Sequence, residues 1–329
     1  MIKINIPQQS LRHHQENYSK NVEKCLEMLM KSSTLGVNEK KYFKLLYDFH
    51  IHHDLLIARP CDLYDLINSE QKVIDDLFAS DRPAQITNYL DKIFSYNAFT
   101  QNKKVVCVKN RITHTSSSYS WGAWRFLKDL NISVCPYCNA DTIFSAIIVR
   151  NGEKKHIRSA LDHFFPQSLY PFLSISLYNL IPACTRCNTN IKRSRELCYT
   201  EHIHPYDESF HDGIKFECIY ESPNAFYGDK QGLKLKLQQL NHEISQKAAN
   251  SGIFFSLEDV YNSLFIEEAA KIVYKKNACK NPAAIDNLKK ILQISDNELE
   301  CFLWGMKLDP KEINSTRLSK LLIDIVQRN

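Results

Sequence analysis

Two cysteine pairs with the same spacing are the clearest candidates for metal chemistry in this chain. The first pair is Cys135 and Cys138, and the second is Cys184 and Cys187. A two-residue gap lets both sulfurs of a pair face one ion, and two pairs supply the four thiolates of a closed tetrahedral zinc site. Zinc bound by four sulfurs has no open coordination position. We therefore expect a structural ion that replaces hydrophobic core.

An Asp-His dipeptide lies between the two cysteine pairs. Asp162 offers a carboxylate of the kind that binds metal ions, and His163 offers a base that titrates near neutral pH. A zinc-stapled scaffold that carries a separate acid, base and metal site is typical of a nuclease. The dipeptide alone is weak evidence, so the interpretation depends on its position between the cysteine pairs.

The segments around these residues predict the elements that position them. Residues 143–149 are strongly β-forming, Asn151-Gly152 is a hairpin turn signal, and a return strand over 155–163 would carry Asp162 and His163 at its end. Residues 179–182 predict a brief extended piece. Residues 185–196, which lack Gly and Pro, predict a helix after the second cysteine pair.

The rest of the chain reads as mainly helical. Periodic apolar residues predict helices over 1–120, and two strands, 214–220 and 233–237, precede a helical C-terminal region. The predicted fold class is mainly α with a small α+β insert. We expect a helical region over 1–120, a zinc-knuckle module over 121–212, and a short β segment with helices over 213–329.

Composition limits the class of protein. The chain has 329 residues, 44% hydrophobic and 24% charged, and a net charge of +5 that is compatible with a polyanionic partner without proving one. Eleven cysteines are an odd number, seven of them scattered singly, which argues against a disulfide framework. The first residues lack the apolar core of a secretion signal, and no apolar run approaches the roughly 18 residues of a membrane helix. We expect a cytoplasmic protein with no membrane contact.

Three sequence pieces together resemble the HNH endonuclease family. They are Leu161-Asp162-His163-Phe164-Phe165-Pro166, then Asn179-Leu180-Ile181-Pro182-Ala183-Cys184, then Cys187-Asn188 with Lys192. The resemblance covers about residues 135–196, under a fifth of the chain, with its parts in the family's order and spacing. It implies a ββα-metal fold, in which two antiparallel strands and a helix surround one divalent cation.

The resemblance also implies roles for single residues. His163 matches the general base that takes a proton from the attacking water, and Asp162 matches a ligand of the catalytic metal. Asn179 matches the residue that braces the loop and orients the base. Asn188 stands where many members carry a histidine ligand, which makes this an HNN-type variant, and its amide oxygen suits Mg²⁺ or Mn²⁺.

Substrate contacts are expected on the helix that follows the second cysteine pair. Lys192 and Arg195, spaced i and i+3, would share one helix face and could meet phosphates. A solvated helix surface explains the same pair equally well. No base-reading motif is apparent, so the sequence gives no specificity.

The sequence thus predicts a metal-dependent HNH endonuclease that hydrolyses phosphodiester bonds in DNA. The overall layout also looks like HNH proteins of bacterial anti-phage systems, Septu-like or retron-linked, which implies an ATPase partner. Two alternatives stay open. One is a zinc-stapled module, with a decayed nuclease site, that binds nucleic acid or protein. The other is an RNA-cleaving toxin with the same site chemistry.

Overall fold

The computed structural model describes residues 2–314 and 316–328. This part of the chain is mainly helical with small antiparallel sheets, as the sequence predicts. Its α-helices are α1 Gln8–Lys31, α2 Val37–His53, α3 Pro60–Phe78, α4 Ala84–Ile93, α5 Tyr96–Thr100, α6 Ala123–Leu130, α7 Pro223–Phe226, α8 Ser245–Phe254, α9 Leu257–Leu264, α10 Ile266–Ala278, α11 Pro282–Leu292, α12 Asp296–Trp304 and α13 Ser319–Ile323.

The strands form two-stranded antiparallel sheets, β1 with β2, β3 with β4, β5 with β6 and β7 with β8. They are β1 Lys103–Val108, β2 Arg111–Ser116, β3 Ser145–Arg150, β4 Glu153–Arg158, β5 Ala160–His163, β6 Leu180–Ala183, β7 Ile214–Tyr220 and β8 Leu233–Gln239. Sheets this small have little stability of their own, so helices and loops must support them.

The chain forms two compact units. The site unit comprises Asn5–Asn131 and Ile143–Tyr199 and contains α1 to α6 and β1 to β6. The C-terminal unit comprises Ile132–Thr142 and the residues from Thr200 onward, together with the first residues up to Ile4. The predicted division at residues 120 and 212 differs from these two units and stays a prediction.

Helix α1 supplies much of the site unit's core. Val22, Cys25, Leu26 and Leu29 are spaced i, i+3, i+4 and i+7, which places them on one helix face, and all four are buried. Helix α1 packs against α2 and against strand β1. A long helix held along one side in this way gives the smaller elements of the unit a fixed support.

The expectation of helices throughout 1–120 is wrong between residues 103 and 116. Strands β1 and β2 form a hairpin there, with Val108 paired to Arg111 across a two-residue turn. Both turn residues, Lys109 and Asn110, have positive φ angles, which is the backbone of the tight hairpin turns that match strand twist. The run of β-branched residues in β1 and the asparagine in the turn were the sequence signals that could have predicted this hairpin.

The strand that carries Asp162 and His163 also differs from the prediction. The hairpin β3–β4 ends at Arg158, and Asp162 and His163 lie in the separate strand β5. Buried Ser159 ends the hairpin, because its N–H donates to the Phe144 carbonyl at 2.9 Å and its hydroxyl accepts from the Phe144 N–H at 3.1 Å. Strand β5 then pairs with β6, the extended piece predicted over 179–182.

The helix predicted over 185–196 is shorter and of a different type. It is a π-helix over Arg186–Lys192. Arg193 ends it, with φ 53° and ψ −126°, although its N–H still donates to the Asn188 carbonyl at 2.8 Å. In chain order the hairpin β3–β4 is thus followed by the paired strands β5 and β6 and then by this π-helix.

In the C-terminal unit the predicted strand pair is confirmed, and β7 pairs with β8 from Ile214 opposite Gln239 to Tyr220 opposite Leu233. Helices α8, α9 and α10 pack against β8. A buried ion pair between Lys320 and Asp324 lies beside strand β7, where the Asp324 carboxylate accepts the Phe216 N–H at 2.9 Å. The unit is thus a small sheet covered by helices.

Within the part of the chain that the structure describes, no helix combines the length and the apolar character needed to cross a bilayer.

Candidate active site

The four cysteines predicted as a metal cluster do come together. The Sγ atoms of Cys135, Cys138, Cys184 and Cys187 all lie within 4.8 Å of one another, and all four residues are buried. Zinc–sulfur bonds of about 2.3 Å in a tetrahedron place sulfurs roughly 3.8 Å apart, so one ion can reach all four. The cluster could hold a metal ion such as zinc.

Local backbone geometry shapes both cysteine pairs. The Asn139 N–H donates to the Cys135 carbonyl at 2.7 Å, and Asn139 has a positive φ of 54°, which asparagine tolerates. In the second pair the Cys187 N–H donates to the Cys184 Sγ at 3.4 Å. Amide donors of this kind stabilise negative charge on sulfur, as a metal-bound thiolate requires.

Strand pairing fixes the positions of Asp162 and His163. Asp162 lies opposite Ile181 and His163 opposite Leu180 in the β5–β6 sheet. Successive side chains of a strand point to opposite faces, so the carboxylate and the imidazole leave the strand in different directions. Even so, both residues line one cavity of about 310 Å³.

A backbone carbonyl determines which imidazole nitrogen of His163 carries the proton. His163 Nε2 lies 2.9 Å from the carbonyl oxygen of Ser174. A carbonyl oxygen can only accept, so Nε2 must be the protonated nitrogen, and Nδ1 keeps its lone pair. The ring is further held by an edge contact with Tyr96, at 4.8 Å between ring centroids. His163 is thus fixed as a neutral base with Nδ1 as its basic atom.

The surroundings of His163 favour this neutral form. The pKa of His163 is lowered to about 4, chiefly by burial and to a smaller extent by the nearby Lys192 ammonium, while the hydrogen bond to Ser174 acts in the opposite direction. The imidazole is therefore unprotonated at neutral pH, as a general base must be before it acts.

Asn179 braces the loop that follows His163. Its side-chain oxygen accepts the Phe165 N–H at 2.7 Å, and its amide group donates to the carbonyls of Phe165 and Leu173, both at 3.1 Å. The Leu173 carbonyl precedes the Ser174 carbonyl that holds His163. One buried amide therefore ties together the chain after His163 and the chain that orients its ring.

Asp162 is paired with a buried lysine. Lys192 Nζ lies 3.2 Å from Asp162 Oδ1 and donates to the His163 carbonyl at 2.8 Å. Asp162 is only 4% exposed and Lys192 only 1%. Ions this deeply buried need partners, because little of either charged group is exposed to water. Lys192 thus neutralises the Asp162 carboxylate inside the fold.

Asn188 lines the same cavity as Asp162 and His163. It is half-buried and directly follows Cys187, and its N–H donates to the Cys184 carbonyl at 2.9 Å. One carboxylate and one amide around an open cavity match the oxygen ligands of Mg²⁺ or Mn²⁺, which usually keep several waters. The donor set therefore fits a hard divalent cation, which would have to share Asp162 with Lys192.

The predicted substrate contacts Lys192 and Arg195 do not share a helix face. The π-helix ends at Lys192, whose ammonium is buried against Asp162, so the two side chains do not lie together on an exposed helix surface. Contact of Lys192 with a phosphate stays a prediction. Arg195 lies beyond the helix and is exposed, with a guanidinium nitrogen 2.6 Å from the Ile191 carbonyl. A role for Arg195 in substrate binding stays a prediction.

Sequence reasoning missed two groups that hold the site. The Ser174 carbonyl orients His163, and the Tyr96 ring packs against it. A backbone carbonyl leaves no trace in residue type. Tyr96 lies 67 positions before His163 in the chain, at the start of α5, so only the folded chain reveals the contact.

Comparisons of the chain with family models, with curated proteins and with solved structures gave no match.

Proposed function

We propose that this chain is a metal-dependent endonuclease of the HNH type that hydrolyses phosphodiester bonds in DNA. One observation carries the proposal: His163 is fixed as a neutral base by the Ser174 carbonyl, in a cavity that it shares with Asp162 and Asn188. The ββα order of β5, β6 and the following π-helix supports it.

In the proposed reaction His163 Nδ1 takes a proton from water as that water attacks the phosphorus atom. The Ser174 carbonyl keeps the proton on Nε2, so the ring cannot turn its protonated nitrogen to the water. Asn179 holds two segments in place during this step, the loop after His163 and the segment that contains the Ser174 carbonyl. General base catalysis of this kind contributes roughly 10²–10⁴ in rate.

Asp162 and Asn188 would hold Mg²⁺ or Mn²⁺, which stabilises charge on the phosphate and the departing 3′ oxygen when bound. The four-cysteine cluster would hold zinc, which anchors the segments on either side of the Asp-His strand. With four sulfur ligands this zinc would take no part in bond breaking.

A plasmid-nicking assay with Mg²⁺ or Mn²⁺ tests the proposal. We expect the wild-type chain to relax supercoiled DNA and His163→Ala to lose at least 10²-fold in rate. His52→Ala is the matched control, because His52 is exposed on α2 in the same unit. Equal rates for wild type and His163→Ala would remove His163 as the base. A total-RNA digest run in parallel separates DNA cleavage from the action of an RNA-cleaving toxin.

A second candidate is a nucleic-acid or protein-binding module whose nuclease site has decayed. The ion pair of Asp162 with Lys192 favours it, because the ammonium already supplies a positive charge to the carboxylate that would bind the metal. Binding of DNA without cleavage, under every divalent cation tested, would support this candidate.

The proposal extends to a role in anti-phage defence beside an ATPase, which the resemblance to bacterial HNH defence proteins implies. Co-purification with the product of an adjacent ATPase gene tests the partner. Phage protection that His163→Ala abolishes and His52→Ala retains tests the role.

A further inference from the structure

The hairpin β3–β4 exposes both of its faces. Every residue from 146 to 156 is exposed, including Ile147, Ile148 and Val149 at 47%, 49% and 63%. These three are consecutive, so they present apolar surface on both faces of the strand. An isolated two-stranded hairpin is at best marginally stable in water, and exposed apolar surface of this kind marks an interaction site.

The charge of the hairpin indicates the chemistry of its partner. Its strands carry the cations Arg150, Lys154, Lys155 and Arg158 against the single carboxylate of Glu153, a net charge of +3. Among the residues that the structure describes, no carboxylate lies within ion-pair distance of Lys154 or Lys155. A surface of unpaired cations fits a polyanion.

The strand register places these cations beside the apolar residues. Lys154 lies opposite Val149, and Lys155 lies opposite Ile148, so each face combines β-branched residues with cations. A nucleic-acid groove offers the same combination, with phosphates along its rims and sugar and base edges between them. The major groove of duplex DNA, about 12 Å wide, admits a two-stranded ribbon.

The base of the hairpin is held by Trp124 of α6 and lies next to the candidate active site. Trp124 stacks on His156 at 4.2 Å, and its Nε1 donates to the Ala146 and Ile157 carbonyls at 3.2 and 3.1 Å. Arg158 reaches the Tyr96 hydroxyl at 3.4 Å, and the Tyr96 ring contacts His163. A ligand along the hairpin would therefore continue toward the cavity of His163.

We propose that β3–β4 is a ribbon that lies in a groove of duplex DNA and holds the duplex beside His163. This inference rests on the proposed endonuclease function and adds its substrate class, a double-stranded nucleic acid. Each strand has six residues and spans about 20 Å at roughly 3.4 Å per residue, enough to contact phosphates on both rims of a groove.

The test measures binding of a labelled DNA duplex by fluorescence anisotropy as a function of salt. Two full-length proteins are compared. Both carry His163→Ala, so that no cutting occurs, and one of them also carries Lys154→Ala/Lys155→Ala. The slope of log K against log salt is negative, and losing two phosphate contacts should reduce its magnitude by about 1.8. At 0.1 M salt this corresponds to roughly 60-fold weaker binding if the affinities converge near 1 M.

The matched control is Lys20→Ala/Lys24→Ala, which removes two exposed lysines of α1 and should leave the slope unchanged. The hairpin lysines are exposed, so unchanged circular dichroism should show that the double variant folds. An unchanged slope and affinity in the hairpin variant would overturn the inference. The exposed hairpin would then be a surface for a protein partner instead of DNA.

The two proposals can fail separately. If the wild type nicks plasmid normally but Lys154→Ala/Lys155→Ala does not change duplex binding, the ribbon inference is wrong and the endonuclease proposal stands. If duplex binding depends on the hairpin lysines but the wild type cleaves no DNA, the ribbon inference stands and the endonuclease proposal is wrong. Absence of duplex binding by the His163→Ala chain would overturn the ribbon inference directly.

Discussion

Replacing Lys192 by methionine tests the arrangement at the candidate active site. Methionine is close to lysine in length but carries no charge and donates no hydrogen bond. The Asp162 carboxylate, 4% exposed, would lose its partner at 3.2 Å, and the His163 carbonyl would lose a donor at 2.8 Å. The change therefore leaves a buried carboxylate without its lysine counter-ion.

The expected cost can be worked out from these contacts. Two unit charges 3.2 Å apart attract by about 5 kcal/mol at an effective dielectric constant of 20. Removing one member of a buried pair usually costs 3–5 kcal/mol, because the remaining charge stays desolvated. We expect Lys192→Met to lower the free energy of unfolding by about 4 kcal/mol.

Urea unfolding at neutral pH with excess zinc measures this cost. Lys20→Met, at an exposed position of α1, is the matched control and should change the free energy by less than about 0.5 kcal/mol. The double variant Asp162→Asn/Lys192→Met removes both charges and should be more stable than Lys192→Met alone. A cost below about 1 kcal/mol for Lys192→Met would refute the buried ion pair.

The same variant tests Asp162 as a metal ligand. With the ammonium gone, a divalent cation no longer competes for the carboxylate, so Mg²⁺ should stabilise Lys192→Met more than the wild type. A cation at ten times its dissociation constant adds about 1.4 kcal/mol. The double variant with Asp162→Asn should lose this effect, and a magnesium response that persists there would place the ion elsewhere.

Three further predictions concern the zinc cluster, the loop brace and a buried histidine. The purified chain should carry one zinc per molecule by elemental analysis, and Cys184→Ala should reduce this content and unfold the module. Asn179→Ala should lower the free energy of unfolding by about 3 kcal/mol and reduce the nicking rate, since it removes the buried amide that accepts the Phe165 N–H at 2.7 Å and donates to the Phe165 and Leu173 carbonyls. Burial lowers the pKa of His14 to about 4, so its contribution to stability should be complete above about pH 6.5 and fall by about 2 kcal/mol at pH 5.

Each of these predictions has its own control. Cys301→Ala removes an exposed cysteine outside the cluster and should keep the zinc. Exposed Asn224 should tolerate alanine at little cost, in contrast to buried Asn179. His14→Gln can still bond Trp121 and Ile175 but cannot titrate, so its stability should change less between pH 7 and 5 than that of the wild type. Equal pH dependence of wild type and His14→Gln would contradict the pKa assignment.

Spacing along the chain was enough to predict several features of this protein. Two cysteine pairs with two-residue gaps predicted the cluster, because ligands three residues apart can share an ion wherever the chain turns. The sequence also predicted β7 and β8 at nearly their observed bounds. Helical periodicity likewise predicted the helices of α1 and α2. All these signals lie within short segments of the chain, so they can be interpreted without knowledge of the fold.

Tertiary structure alone decided how the candidate site is assembled. The Ser174 carbonyl selects the basic nitrogen of His163, and a backbone carbonyl has no signature in sequence. Lys192 has the residue type of a surface cation, yet the π-helix turns its ammonium inward to Asp162. The pairing of β5 with β6 rather than with the preceding hairpin depends on contacts between distant segments. Burial and long-range partners determine such features, and both arise only when the chain is folded.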